Sequence, residues 1–311
     1  MSRFTRREAL AASALALFAR RLGALPLADI ELGITSDEID EDVESAAKFL
    51  AEHNLKWAEV RNIWGKYNTE QPIARVREAR SLFDEHGIKV SIEGTGFFKV
   101  PLPPDTAEGQ KKLEEQWALL DRSMERAKAF GTDKLRIFTF MLARGETLSE
   151  RSYARIDELL RDAARRAKTG GFRLAVENIG GGHVATGEQA GALLRRVKED
   201  NVGITWDPNN AGQSGEKSFP EGYRKLDPAR IFHVHLRDYI HQPDGKVAWA
   251  AVGTGEFDNV GQIRALRKDG YNGTFTLETH WRDPKYKGDP HVARYSTETS
   301  LKGMLQVIAR V

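Results

Sequence analysis

The chain has 311 residues and no cysteine, which excludes disulfides, thiolate zinc sites, iron–sulfur clusters and cysteine nucleophiles. Its 40% apolar and 30% charged residues suit a globular core, and the length fits one or two domains of roughly 150 residues or one α/β barrel. With 47 basic and 45 acidic side chains the net charge is +2, which argues against a strongly basic nucleic-acid binder.

The first residues read as a leader. Thr5-Arg6-Arg7 is followed by the apolar run Ala9–Ala19 and then by Arg20 and Arg21. The run is too short to span a bilayer, so no stable membrane span is expected. A basic start before a short alanine-rich stretch is the pattern of an export signal of twin-arginine type. Ala9 and Ala11 stand where that type usually carries an aromatic residue and a lysine. Residues 1–28 are therefore expected to be an export signal, with a periplasmic or extracellular product; an unused signal would leave it cytoplasmic. An amphipathic N-terminal helix is the alternative. Residues 29–311 are expected to form a single domain.

From residue 30 short β-rich runs alternate with longer amphipathic stretches. The strands are expected at Ile30–Thr35, Trp57–Ile63, Ile88–Glu93, Lys134–Phe140, Arg173–Asn178, Val202–Asp207, Ile231–Leu236 and Thr274–Thr279. The helices are expected at Asp42–His53, Gln71–His86, Ala107–Phe130, Ser149–Lys168, Glu188–Lys198, Asp258–Lys268 and Val292–Ala309, with Pro220–Leu226 as a weak sixth. Gly87, Gly131, Gly171 and Gly270 stand where left-handed helix caps belong. Eight strict βα alternations predict an α/β fold, a (β/α)₈ TIM barrel; a doubly wound open sheet is the alternative. No phosphate-cradling glycine loop follows any strand, and Gly180-Gly181-Gly182 lacks the spacing of one.

Alternation along the strands sorts their faces. Bulky residues should face the helices, which turns Glu177, Asp207, His233, His235 and Glu278 inward, near the C-terminal strand ends where barrel active sites lie. Singly, each has a plain structural explanation as a cap, an ion-pair partner or a core residue. Together, Glu177, Asp207, His235 and Glu278 bring three carboxylates and one imidazole to neighbouring strands. Three carboxylates would repel one another, and a divalent cation resolves that. Oxygen donors with one imidazole favour Mn²⁺, with Mg²⁺, Co²⁺ or Zn²⁺ as alternatives.

The same stretches carry a family resemblance. Phe172–Asn178 (FRLAVEN), Val202–Asn210 (VGITWDPNN), Phe232–Asp238 (FHVHLRD) and Gly270–Glu278 (GYNGTFTLE) resemble the metal-binding strands of xylose-isomerase-like TIM barrels, the sugar phosphate isomerase/epimerase superfamily. The resemblance covers roughly residues 30–310 and implies that Glu177, Asp207, His235 and Glu278 bind one divalent ion. Ketose 3-epimerases carry a histidine where Asn210 stands and an arginine where His241 stands. The HLRD run is more similar to the HLKD of inosose dehydratases. The superfamily follows from this resemblance, and the particular reaction does not.

The expected activity is that of a metal-dependent sugar isomerase or epimerase. It would move a proton α to a carbonyl through a metal-bound enediolate, on a non-phosphorylated sugar or polyol, with Glu177 and Glu278 as catalytic carboxylates. A lyase or dehydratase acting on a keto-sugar or inosose uses the same ligands. An exported carbohydrate-binding barrel without activity is the reading of another class. A glycosidase and a nuclease of damaged DNA fit the residues less well. Substrate contacts are expected from His183, Asn210, Glu59, Arg61, His233, Asp238, Trp64 and Trp281. Arg136, also inward, is a further contact or a partner in a salt bridge inside the barrel. No nucleic-acid partner is expected, and homo-oligomerisation is left open.

Overall fold

The computed structural model describes residues 30–311; the leader expected at 1–28 lies outside them. Eight parallel strands close into a barrel. They are β1 (Leu32–Thr35), β2 (Trp57–Val60), β3 (Lys89–Gly94), β4 (Lys134–Ile137), β5 (Arg173–Glu177), β6 (Val202–Trp206), β7 (Ile231–Leu236) and β8 (Phe275–Leu277). Each pairs with its sequence neighbours, and β8 closes on β1 through Leu32–Phe275 and Ile34–Leu277. No helix among the described residues is long and apolar enough to cross a membrane.

Among the described residues, seven helices of ten residues or more pack outside: α1 (Val43–Glu52), α2 (Ile73–Glu85), α3 (Ala107–Phe130), α4 (Glu150–Thr169), α5 (Gly187–Arg196), α6 (Asn259–Lys268) and α7 (Val292–Ile308). Their starts are fixed by side-chain caps. Asp42, Thr106, Ser149 and Asp258 each accept from a backbone N–H three residues on, and Thr186 with Gln189 forms a reciprocal capping box at α5. The four glycines expected as left-handed caps have φ between 70° and 90°. The apolar faces meet in a ring of buried Val, Ile, Leu and Phe between strands and helices.

Two strands end three residues earlier than the alternation pattern predicts, for a visible reason. The second stops at Val60, and Asn62–Ile63 turns into a small hairpin with Lys66–Tyr67. The Asn68 amide donates to the carbonyls of Val60, Arg61 and Gly94, so a side chain replaces the ladder between β2 and β3. The fourth stops at Ile137, because Phe138 and Phe140 turn off the sheet into buried loop positions. The weak sixth helix at Pro220–Leu226 is not a regular α-helix. Short turns span Ser218–Lys225 there, after a six-residue helix at Pro208–Gln213. Proline at positions 208, 220 and 228 breaks any longer run.

Glu93 faces away from the barrel interior, on the side of β3 that meets α3. It is fully buried and neither carboxyl oxygen has a hydrogen-bond partner. Burial pushes its carboxyl well above the usual range, against the pull of the Arg126 guanidinium and the Ala127 amide. A carboxyl raised in the folded state costs stability as pH climbs above the unfolded value of about 4.3. Glu93→Gln is therefore expected to be more stable than the parent near pH 8 and to lose that advantage below about pH 4, read from urea midpoints across pH. An equal shift at every pH would contradict this origin.

Candidate metal centre

The strand ends deliver the four expected ligands to one place. Glu177 ends β5, His235 lies in β7, Asp207 follows β6 and Glu278 follows β8. All four are buried, and they offer one ligand atom each within 4.8 Å of one another. His235 Nδ1 lies 3.1 Å from Glu278 Oε2, 3.5 Å from Glu177 Oε1 and 3.6 Å from Asp207 Oδ2.

Each of these side chains is held from behind. Asp207 Oδ1 accepts from the N–H groups of Asn209 and Asn210, both at 2.9 Å, and so caps the helix Pro208–Gln213. Asn178 clamps the Asp207 backbone, accepting from its N–H and donating to its carbonyl. This leaves Asp207 Oδ2 facing the cluster without a hydrogen bond. His235 Nε2 lies 2.8 Å from Glu59 Oε2, which fixes the ring and leaves Nδ1 as the inward atom. His235 Nδ1 also lacks a hydrogen-bond partner. Two buried donor atoms that make ion pairs but no well-formed hydrogen bond face the same point, and together with Glu177 and Glu278 they make a donor set that fits a divalent ion.

Charge in the cluster is already answered in part by the protein. Arg237 contacts Glu278 directly and reaches Asp207 Oδ2 at 2.9 Å. Arg136 joins Glu59 at 2.9 Å and contacts Glu177. Arg61 reaches Glu278 Oε1 at 2.7 Å and Asp37 at 2.8 Å. Burial alone would raise Glu177, but Arg136 and His235 outweigh it and hold its pKa at about 2. Burial likewise opposes ionised Glu278, and Arg237 with His235 and His280 brings it well below the carboxylate range. Burial pushes His233 down to about 4 despite Glu59, so it is a neutral ring. His235 goes the other way: the Glu59 and Glu278 carboxylates overcome burial and raise it. An ion at Nδ1 would displace that proton.

A cavity of about 210 Å³ opens over the cluster, lined by Arg61, Lys99, Arg136, Glu177, Ile179, Asn210, Arg237, Trp249, Glu278 and His280. Gly94 makes room for the Arg136 guanidinium that lines it, since a Cβ there would meet Arg136 Nη2 at 2.8 Å. Of the expected substrate contacts, Asn210 and Arg61 line this cavity, and the Asn210 amide donates to Glu177 Oε1 at 3.2 Å. Glu59 and His233 lie beneath it, bonded to each other at 3.1 Å. Asp238 faces the loop after β7, where its carboxylate accepts from the N–H groups of Tyr239, Gly253, Gly255 and Phe257.

His183, Trp64 and Trp281 are not among the cavity's lining residues. His183 is fully buried with Nδ1 3.2 Å from the Phe140 carbonyl. Trp64 donates to Asp42 under the Arg75 guanidinium, 3.6 Å from its ring.

Sequence reasoning missed Arg237, Lys99 and His280. Arg237 shares the parity of His233 and His235, so alternation alone could have turned it inward. His280 follows the last strand with φ of 49°, and its Nδ1 contacts Glu38 Oε1 at 2.5 Å.

A family model described as xylose isomerase-like TIM barrel matches residues 40–302. No curated protein matches the sequence. Among similar solved structures, an IolI protein with a binding zinc atom has a TM-score of 0.73 at 19% identity, covering 90% of this chain and 99% of that one. D-allulose 3-epimerase from Methylomonas sp., in complex with D-allulose, has 0.69 at 18% identity, covering 93% and 99%. A xylose isomerase-like TIM barrel protein from Mycobacterium smegmatis, in complex with magnesium, has 0.64 at 18%, covering 91% and 98%.

Proposed function

The chain belongs to the xylose isomerase-like TIM-barrel family, and from that premise we propose that it is a divalent-metal-dependent enzyme that moves a proton on the carbon beside a carbonyl of a sugar or polyol. The observation that carries this reading is the convergence of Glu177, Asp207, His235 and Glu278 below a cavity that both glutamates line. Zinc and magnesium in two of the similar structures support a divalent ion. Three oxygens and one imidazole favour Mn²⁺. When bound, such an ion polarises a carbonyl and stabilises negative charge on its oxygen.

The chain's own groups supply the rest. Glu177 and Glu278 rise from strands separated by β6 and β7, so a substrate between them meets a carboxylate on each side. Either can take a proton from carbon, and the other can return one. Return to the opposite face inverts that carbon; return to the neighbouring carbon exchanges aldose and ketose. Asn210 holds Glu177 Oε1, and Arg61 holds Glu278 Oε1, which orients both carboxylates.

The test is solvent deuterium exchange, read by NMR, into ketoses, inososes and 3-keto-glycosides. The ion-loaded protein is expected to place deuterium beside the carbonyl of at least one of them. Loss of a hydroxyl instead would assign a lyase. No exchange and no elimination, with the ion bound, would remove the proton-transfer reading.

A further inference from the structure

The cavity over the cluster is richer in positive than in negative side chains. Arg61, Lys99, Arg136 and Arg237 line it, against the carboxylates of Glu177 and Glu278. Three of these cations are answered. Arg61 pairs with Asp37, Glu38 and Glu278; Arg136 with Glu59 and Glu177; Arg237 with Asp207 and Glu278.

Lys99 is different. Among the described residues no carboxylate pairs with it, and its ammonium lies 4.8 Å from the centre of the Phe138 ring. Lys99 lines the cavity with an exposed side chain; partial desolvation and then Arg136 lower its pKa, against the pull of Glu177 and Glu278. Arg136 Nη2 is buried beside the same cavity with no hydrogen bond. A divalent ion would compete with Arg237 for Asp207 and Glu278, and so would leave the cavity more positive still.

We propose that the substrate is an anion, a keto sugar acid whose carboxylate is received by Lys99 at the cavity wall. This rests on the proton-transfer reading above for its chemistry, and on Lys99 for its charge. One unanswered ammonium matches one negative charge, which favours a carboxylate over a phosphate dianion. The carboxylate also supplies the acceptor that Arg136 Nη2 lacks.

Isothermal titration of the Mn²⁺-loaded full chain tests this. The probes are D-tagaturonate and D-fructuronate, against D-tagatose and D-fructose, which carry a hydroxymethyl group in place of the carboxylate. The corresponding ketose 6-phosphates form a third arm. The ketouronates are expected to bind about tenfold tighter than their neutral partners, the gain from one charge-assisted contact. Lys99→Met should abolish that difference while leaving neutral-ketose affinity and ion content unchanged, and Lys99→Arg should restore it. Equal affinity for both probes, or equal weakening of both by Lys99→Met, overturns the proposal. Tighter binding of the 6-phosphates overturns the carboxylate assignment. Deuterium exchange on the same probes separates the two readings. Lys99-dependent binding without exchange removes proton transfer alone, and exchange on a neutral ketose that ignores Lys99 removes the anion alone.

Discussion

Glu278→Gln is expected to lower turnover on the true substrate by about 10³-fold, the usual cost of removing a positioned general base. The change keeps the shape of the side chain and an oxygen that Arg61 can reach. It removes the charge that answers Arg61, His235 and Arg237 together. Ion affinity should fall as well, because one of three anionic donors is gone. Steady-state kinetics with ion content measured on the same sample checks both, and circular dichroism confirms that the barrel has folded. Full activity in this variant would sink the proposed role of Glu278.

The second large effect is expected at Asp207, whose two oxygens do different work. Oδ1 caps the helix Pro208–Gln213, and Oδ2 faces the cluster. Asp207→Asn keeps an oxygen for the cap and places a neutral amide beside Arg237. It should fold and yet carry only background ion. Asp207→Ala should lose the ion and also the cap, at a further cost of about 1 kcal/mol. Metal analysis and urea denaturation of the pair read the two roles separately. Stoichiometric ion in both variants would exclude Asp207 as a ligand.

Much of this centre is legible in the sequence because alternation along a strand is a strict geometric rule. It turns Glu177, His235 and Glu278 inward without reference to any other part of the chain. The same rule reaches Arg237, where a positive charge at a strand end reads equally well as a solvated residue. Lys99, Glu38 and His280 have no such signal. Each lies in a segment after a strand, and only barrel closure brings these segments together. The early end of β2 was hidden for a related reason: the Asn68 amide that replaces the ladder acts across the sheet and leaves no periodic trace. His183, Trp64 and Trp281 show the converse. Each sits in a loop at the correct end of the barrel, yet the structure places His183 against the Phe140 carbonyl and Trp64 under Arg75.

Arg237 also bears on how the working protein is assembled. Its guanidinium and the neighbouring imidazole offset part of the charge of the acids they touch. In small zinc-dependent domains the ion is the keystone, and shape collapses without it. Here the cluster carries counter-charges of its own, in Arg136 and Arg237. Under the proposed reading, ion binding would be an exchange of one positive group for another.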